Sequence, residues 1–327
     1  MPRSVMGYVL RFTGLHQAGL AALSIAVFLL SAAPLELQRR IVNDLTDKGS
    51  ARAIFWLAVA YASVALAEQG LKLVLNVYRG WVAESTVRSL RAQVYEAEVS
   101  ATMAEPSTLD TGVEIAMILE EVEPIGGFVG ISLSEPLLQG GILVSVISYM
   151  LFLHPGLALL GIAFFVPQMV FVPLLQRAIN RRAQERILVK RGISGALAEN
   201  GSGGEPAPSQ TDAISRVFLL NMGIYWRKFS MNLLMNLMHH LGVAVTLCVG
   251  GWLALEGHLE VGTVVAMVGG LGKLNDPWGD IVNWAREFSV VNVKYKLFAD
   301  AAHWLEGTGV PLIDPDSAAA VPQPRTT

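Results

Sequence analysis

Six stretches of the chain stay apolar for long enough to cross a membrane as helices. A helical span needs roughly 20 mostly apolar residues. The six run at about Gly14–Leu35, Ala53–Val77, Phe128–Leu153, Gly156–Leu175, Leu233–Leu255 and Val261–Trp284. Spans three and four are joined only by His154–Gly156, and spans five and six only by Glu256–Glu260. Joints this short predict tight antiparallel hairpins. The segments 78–127 and 176–228 are about fifty residues each, and structureless loops of that length are uncommon. Both read as helical: "WVAESTVRSLRAQVYEAEVSA" holds no Pro or Gly, and "LLQRAINRRAQERILVKRG" is basic with few breakers. Each turns round at polar punctuation, "AEPSTLDTG" at Ala104–Gly112 and "ENGSGGEPAPSQTD" at Glu199–Asp212. The predicted fold is therefore an all-α integral membrane protein of six transmembrane helices. Two long helical hairpins project from it, between an N-terminal segment at 1–13 and a tail at 307–327. The tail, ending in "PDSAAAVPQPRTT", is expected to be disordered.

Composition agrees with the pattern. The chain is 53% hydrophobic and 16% charged, against about 25% charged for soluble domains. A net charge of −3 gives no bulk basic signal for nucleic acid. The one cysteine, Cys248, excludes an internal disulfide and a cysteine-built metal site. Charge also orients the chain. With the N-terminus inside, the inner segments hold eighteen Lys and Arg and the outer ones four, Arg39, Arg40, Lys48 and Arg52. Both termini are therefore expected to be cytoplasmic, in a plasma (inner) membrane. Ser31-Ala32-Ala33 offers a small-residue cleavage site, but the apolar core starts late, so the first span is expected to be retained.

Ionisable groups inside a span are costly, and each is a functional candidate by default. Span two carries Glu68, Lys72, Asn76 and Arg79 at four-, four- and three-residue spacing, which places them on one helix face. Span five and its inner extension carry Asn232, Asn236, His239 and His240. Span six carries Lys273, Asp276 and Asp280. These stripes read either as the lining of a mixed-charge cavity open to the cytoplasm or as self-satisfied pairs, Glu68 with Lys72 and Lys273 with Asp276. The glycines before Lys273, with Pro277 after it, predict a break in span six and favour the cavity there. Pro167 and Pro173 predict a kink in span four.

"GGLGK" at Gly269–Lys273 has the look of a phosphate-binding loop. The motif requires G-x-x-x-x-G-K-[ST], but Met267 stands at the first Gly and Leu274 at the Ser/Thr. The segment also lies inside a span rather than after a strand. No G-x-G-x-x-G and no zinc-spaced His/Glu cluster occurs, so the chain is expected to hold no catalytic site and no metal.

The whole layout resembles the type-1 transmembrane domain of exporter-type ATP-binding-cassette (ABC) transporters. "STLDTGVEIAMILEEVEPIGGFVG" resembles that family's first intracellular loop and the start of span three. "GHLEVGTVVAMVGGL" resembles the outer joint before span six, with Gly257 and Gly262 in place. The resemblance implies a permease subunit that pairs with a second transmembrane subunit, identical or homologous. Together they would enclose a substrate path in the bilayer, for which the candidates here are Glu68, Lys72, Asn76, Asn236, His239, Lys273, Asp276 and Asp280. It also implies hairpin tips that dock on ATPase cassettes. By position those tips hold Glu105, Ser107, Leu109 and Asp110, and then Glu199, Asp212, Ile214 and Arg216. Mg-ATP would be bound by the cassettes, which are expected on a separate ATPase subunit, since about forty residues follow span six. "GSGGE" at Gly201–Glu205 only partly mimics the family's LSGGQ signature, and Pro206 and Pro208 follow where a helix must begin. Two other readings of the residues stay open. One is an ion-coupled secondary transporter using Glu68, Asp276 or the His pair; the other is a non-transporting or regulatory membrane subunit.

Overall fold

A computed structural model describes residues 4–104, 122–200 and 208–307. Every element among them is helical: α1 (Val5–Phe12), α2 (Gly14–Ser31), α3 (Ala33–Thr46), α4 (Ala51–Ala104), α5 (122–131), α6 (Ser134–Leu153), α7 (Pro155–Ala163), α8 (Val166–Asn200), α9 (Pro208–Leu255), α10 (Val261–Gly272) and α11 (Asn275–Gly307). The helices fall into two compact units. One is built from the residues before Met150 together with those from Asp276 on, and the other is Met150–Asn275.

Prolines account for most of the interruptions. A proline has no N–H for the carbonyl four residues back, yet it is tolerated in the first turn of a new helix. The α2–α3 break falls at Ala32, just before Pro34. The α5–α6 break falls at Ser132 and Leu133, just before Pro136. The α7–α8 break falls at Phe164 and Phe165, just before Pro167, so the kink expected from Pro167 lies one turn ahead of it. Pro173 stays inside α8. The α10–α11 break falls at Lys273 and Leu274, just before Pro277. Tight joints have their own signals. His154 caps α7 by accepting the Leu157 N–H at 3.1 Å, with Pro155 as the first helical residue. Gly257, at a φ of 77°, turns the chain between α9 and α10, a conformation that costs glycine little.

Among the described residues, five helical stretches are long and apolar enough to span a bilayer: Gly14–Thr46, Ala51–Gln93, Val122–Leu153, Pro155–Lys190 and Thr211–Leu255. They coincide with the first five predicted spans. The sixth predicted span is divided. α10 has 12 residues, short of the roughly 20 a straight crossing needs, and α11 is polar from its first turn. α4 is unbroken for 54 residues and α9 for 48. At 1.5 Å per residue they extend about 80 and about 70 Å, more than twice the roughly 30 Å hydrocarbon core.

In the first unit α2 buries Gln17, Leu20, Ser24, Val27 and Ser31, a seam with alternating three- and four-residue spacing. Three of the five are polar, while Leu15 and Leu29 are exposed. This inversion suits lipid, where helices associate through small and polar contacts and turn large apolar residues outward. α5 runs antiparallel to α4 at close range. An added Cβ at Gly130 would lie 2.5 Å from the Arg79 carbonyl oxygen, and one at Gly126 2.9 Å from that of Ala83. α1 packs Tyr8 against Tyr295 of α11, ring centroids 5.9 Å apart. Burial pushes the Tyr8 hydroxyl up to about 12, against a smaller downward pull from its hydrogen bond with Ser89. In the second unit α8 lies along α9, and α7 and α10 pack on α9 over Gly161 and Gly250, where Leu157, Leu271 and Val264 fill the space a side chain would take.

Candidate functional site

The polar centre of the first unit grows out of the break between α5 and α6. Breaking a helix in an apolar setting strands carbonyls, which must find donors. Four carbonyls around this break have side-chain donors. Val129 O accepts Gln17 Nε2 of α2 at 2.8 Å and Ser132 Oγ at 3.0 Å. Ser132 O is the carbonyl that Pro136 cannot serve, and it accepts Trp284 Nε1 of α11 at 3.0 Å. Ser134 O accepts Ser24 Oγ at 3.2 Å, and Gly130 O accepts Ser134 Oγ at 3.3 Å.

Ser134 connects this break to a chain of charges. Buried Arg79 of α4 donates Nε to Ser134 Oγ at 2.8 Å and pairs its Nη1 with Glu135 Oε2 at 2.6 Å. Gln139, one turn along α6, donates its Nε2 to Glu135 Oε1 and to Asp280 Oδ2, both at 2.9 Å. Three helices thus contribute to one row: Ser134, Arg79, Glu135, Gln139, Asp280. One guanidinium stands with two carboxylates, so the row holds an excess of acceptors at its Asp280 end. Its chemistry suits a proton, a cation or a polar substrate group. Of these residues Asp280 is a predicted path residue and Arg79 lies on the predicted polar face. Glu135 and Gln139 were missed, because polar stripes were sought on spans two, five and six and not on span three. An ionisable residue four positions from an amide inside that span was the available signal.

Glu68 and Lys72 form their own pair further along α4, Nζ to Oε1 at 2.7 Å, with Glu68 buried and Lys72 a third exposed. Asn76 is exposed, so the predicted stripe divides into an internal pair, an outward Asn and the Arg79 row.

In the second unit His239 is half-buried beside a small cleft lined also by Gln168 and Asn275. The interrupted ends of α7, α8 and α10 border it through Phe164, Phe165 and Leu274. Gln168 is fully buried and its Oε1 has no hydrogen-bond partner among the described residues. His240 is exposed, its ring 5.3 Å from that of His239, and Asn232 and Asn236 are exposed too. Lys273 is half-buried and closes α10, its N–H bonded to the carbonyls of Gly269 and Gly270. Asp276 is exposed in the first turn of α11, where the helix dipole favours a carboxylate.

Of the coupling candidates, Glu105, Ser107, Leu109 and Asp110 lie outside the described residues. Glu199 is in the last turn of α8. Asp212, Ile214 and Arg216 are exposed on the first turns of α9. The predicted Gly/Pro/Ser-rich turn ends earlier than expected: Pro208, Ser209 and Gln210 already belong to α9, with Pro208 at its first position.

An all-helical chain with several bilayer-length apolar helices, a polar row between them and large apolar side chains outside is a multi-pass integral membrane protein. Residues 18–200 match the ABC transporter transmembrane region. The match covers more than half of the chain, and the chain belongs to that family. No curated protein matches it.

Proposed function

We propose that this chain is the membrane-spanning permease subunit of an ATP-driven exporter. The observation that carries the reading is the length of α4 and α9 within a chain of this family. Helices that outrun the bilayer by tens of ångströms serve to carry force to something outside it. A secondary transporter has no use for them, and they suit docking on ATPase cassettes that bind Mg-ATP. In this reading α10 and the start of α11 form a sixth crossing, broken at Lys273–Leu274, and both termini are cytoplasmic in the inner membrane. The ends of α4 and α8 and the start of α9 lead to the coupling tips. A second transmembrane subunit completes the path. The Arg79–Glu135–Gln139–Asp280 row supplies polar lining, and ATP binding by the cassettes moves the helices between inward- and outward-facing states. This chain contributes the path and no catalytic group.

Reconstitution tests the proposal. Proteoliposomes made from the complex purified through this chain are expected to move substrate only with ATP. Movement driven by a proton gradient without ATP would sink the reading in favour of secondary transport.

A further inference from the structure

The basic run of α8 has no part in the transport reading. Arg177, Arg181, Arg182 and Arg186 fall within ten residues of one helix, and α9 brings Arg227 against them. Two contacts fix the register. Arg186 Nη1 donates to Asn221 Oδ1 at 3.1 Å. Arg182 lies over Gly223, where an added Cβ would collide with its Nη1. Arg227 Nη1 in turn donates to the Gly223 carbonyl at 3.0 Å. The missing side chain of Gly223 and its carbonyl therefore bring two guanidiniums to one spot. With Arg177, Arg181 and Glu185 they line an open cleft of about 450 Å³, within the roughly 300–1,000 Å³ of small-molecule clefts.

The charges in this cleft do not balance. Four guanidiniums face one carboxylate. Glu185 reaches Arg181 only at 4.0 Å, with both side chains well exposed, an ion pair of little value. Among the described residues no carboxylate comes within ion-pair distance of Arg177, Arg182 or Arg227. Like charges gathered on two packed helices favour an anion with several acceptor oxygens, and the fork of a guanidinium matches phosphate.

The surroundings indicate which phosphate. Met169, Val170 and Leu174 are exposed apolar residues on α8 ahead of Arg177, inside the apolar stretch Gly156–Leu175. On α9, Tyr225, Trp226 and Phe229 are exposed beside Arg227, and exposed Trp and Tyr mark the membrane–water boundary. The cleft thus lies just past the Leu175 end of the apolar stretch Gly156–Leu175 and the Leu233 end of Leu233–Leu255.

We propose that it binds the phosphate of an anionic phospholipid, whose acyl chains lie along the apolar face of α8. The site goes beyond the transport reading and stands whether or not the chain exports anything. It is tested on the whole protein in detergent, with phosphatidylglycerol, phosphatidylcholine and inorganic phosphate added separately. Bound lipid is counted by native mass spectrometry and stabilisation by the melting temperature. Phosphatidylglycerol is expected to stay bound and raise the melting temperature, and phosphatidylcholine to do neither. Arg177→Gln with Arg182→Gln is expected to weaken retention on the order of tenfold, because each basic group near a membrane surface contributes several-fold to anionic-lipid binding. Arg88→Gln with Arg286→Gln, exposed arginines elsewhere in the chain, is expected to leave it unchanged. The single change Arg177→Glu alters an exposed side chain and tests the site even if the double variant folds poorly. Equal retention of both lipids, or wild-type retention by Arg177→Glu, would overturn the proposal. Equal protection by inorganic phosphate would overturn the lipid assignment.

Discussion

Arg79 holds the first unit's polar row together, and its two contacts demand a guanidinium. Nε reaches Ser134 while Nη1 reaches Glu135, a fork that one ammonium cannot copy. Arg79→Met leaves the half-buried Glu135 without its cation and is expected to cost about 3 kcal/mol, the lower end for breaking a buried pair, read as a large drop in melting temperature. Arg79→Lys is expected to recover only part of that drop; full recovery would show that charge alone matters there. Glu68 and Lys72 make a second test, because their burial is unequal. Lys72 is a third exposed and can turn its ammonium to water, whereas Glu68 cannot escape. Lys72→Met is therefore expected to destabilise more than Glu68→Gln, by about 1–3 kcal/mol for the unsatisfied group left behind. The reverse order in thermal melts would contradict the pairing.

The helices teach the same lesson at the scale of elements: breaks follow prolines, and what happens at a break depends on partners far away in sequence. The rupture near Lys273 was legible, because three glycines and Pro277 announce it. The rupture at Ser132–Leu133 was not, although Pro136 sits in plain view. What makes that break tolerable is Gln17, Ser24 and Trp284, more than a hundred residues away in either direction. No local pattern links them to it. Apolar periodicity located five spans well because length and hydrophobicity decide membrane insertion locally. The polar stripes fared worse, because spacing on one helix cannot say which face meets a neighbour, as exposed Asn76 shows. Close packing of α4 on α5 gives an element-level test. Gly130→Ala puts a methyl group 2.5 Å from the Arg79 carbonyl oxygen, and overpacking of that kind costs about 1–3 kcal/mol. Gly127→Ala meets nothing within 4 Å and is expected to be neutral or slightly stabilising, since alanine favours helix by up to about 1 kcal/mol. Equal melting temperatures for the two variants would mean the helices are not held this closely.

At the scale of the whole molecule, the proposed function gives the long helices and the polar breaks separate tasks. In that proposal, breaks inside the apolar layer offer polar groups to a substrate, and unbroken helices reach beyond the layer. Changing each separately should separate the functions. Lys273→Ala with Asp276→Ala is expected to abolish transport while leaving assembly with the cassettes intact; lost assembly would make that segment a structural joint rather than part of the path. The most direct measurement of the central claim is ATP hydrolysis by the complex purified from native membranes through this chain. The account predicts a cassette-type ATPase in that complex, with activity that falls when Ile214 and Arg216 on the first turns of α9 are both changed to Asp. A complex that contains no such ATPase, or one whose hydrolysis ignores those changes, would contradict it.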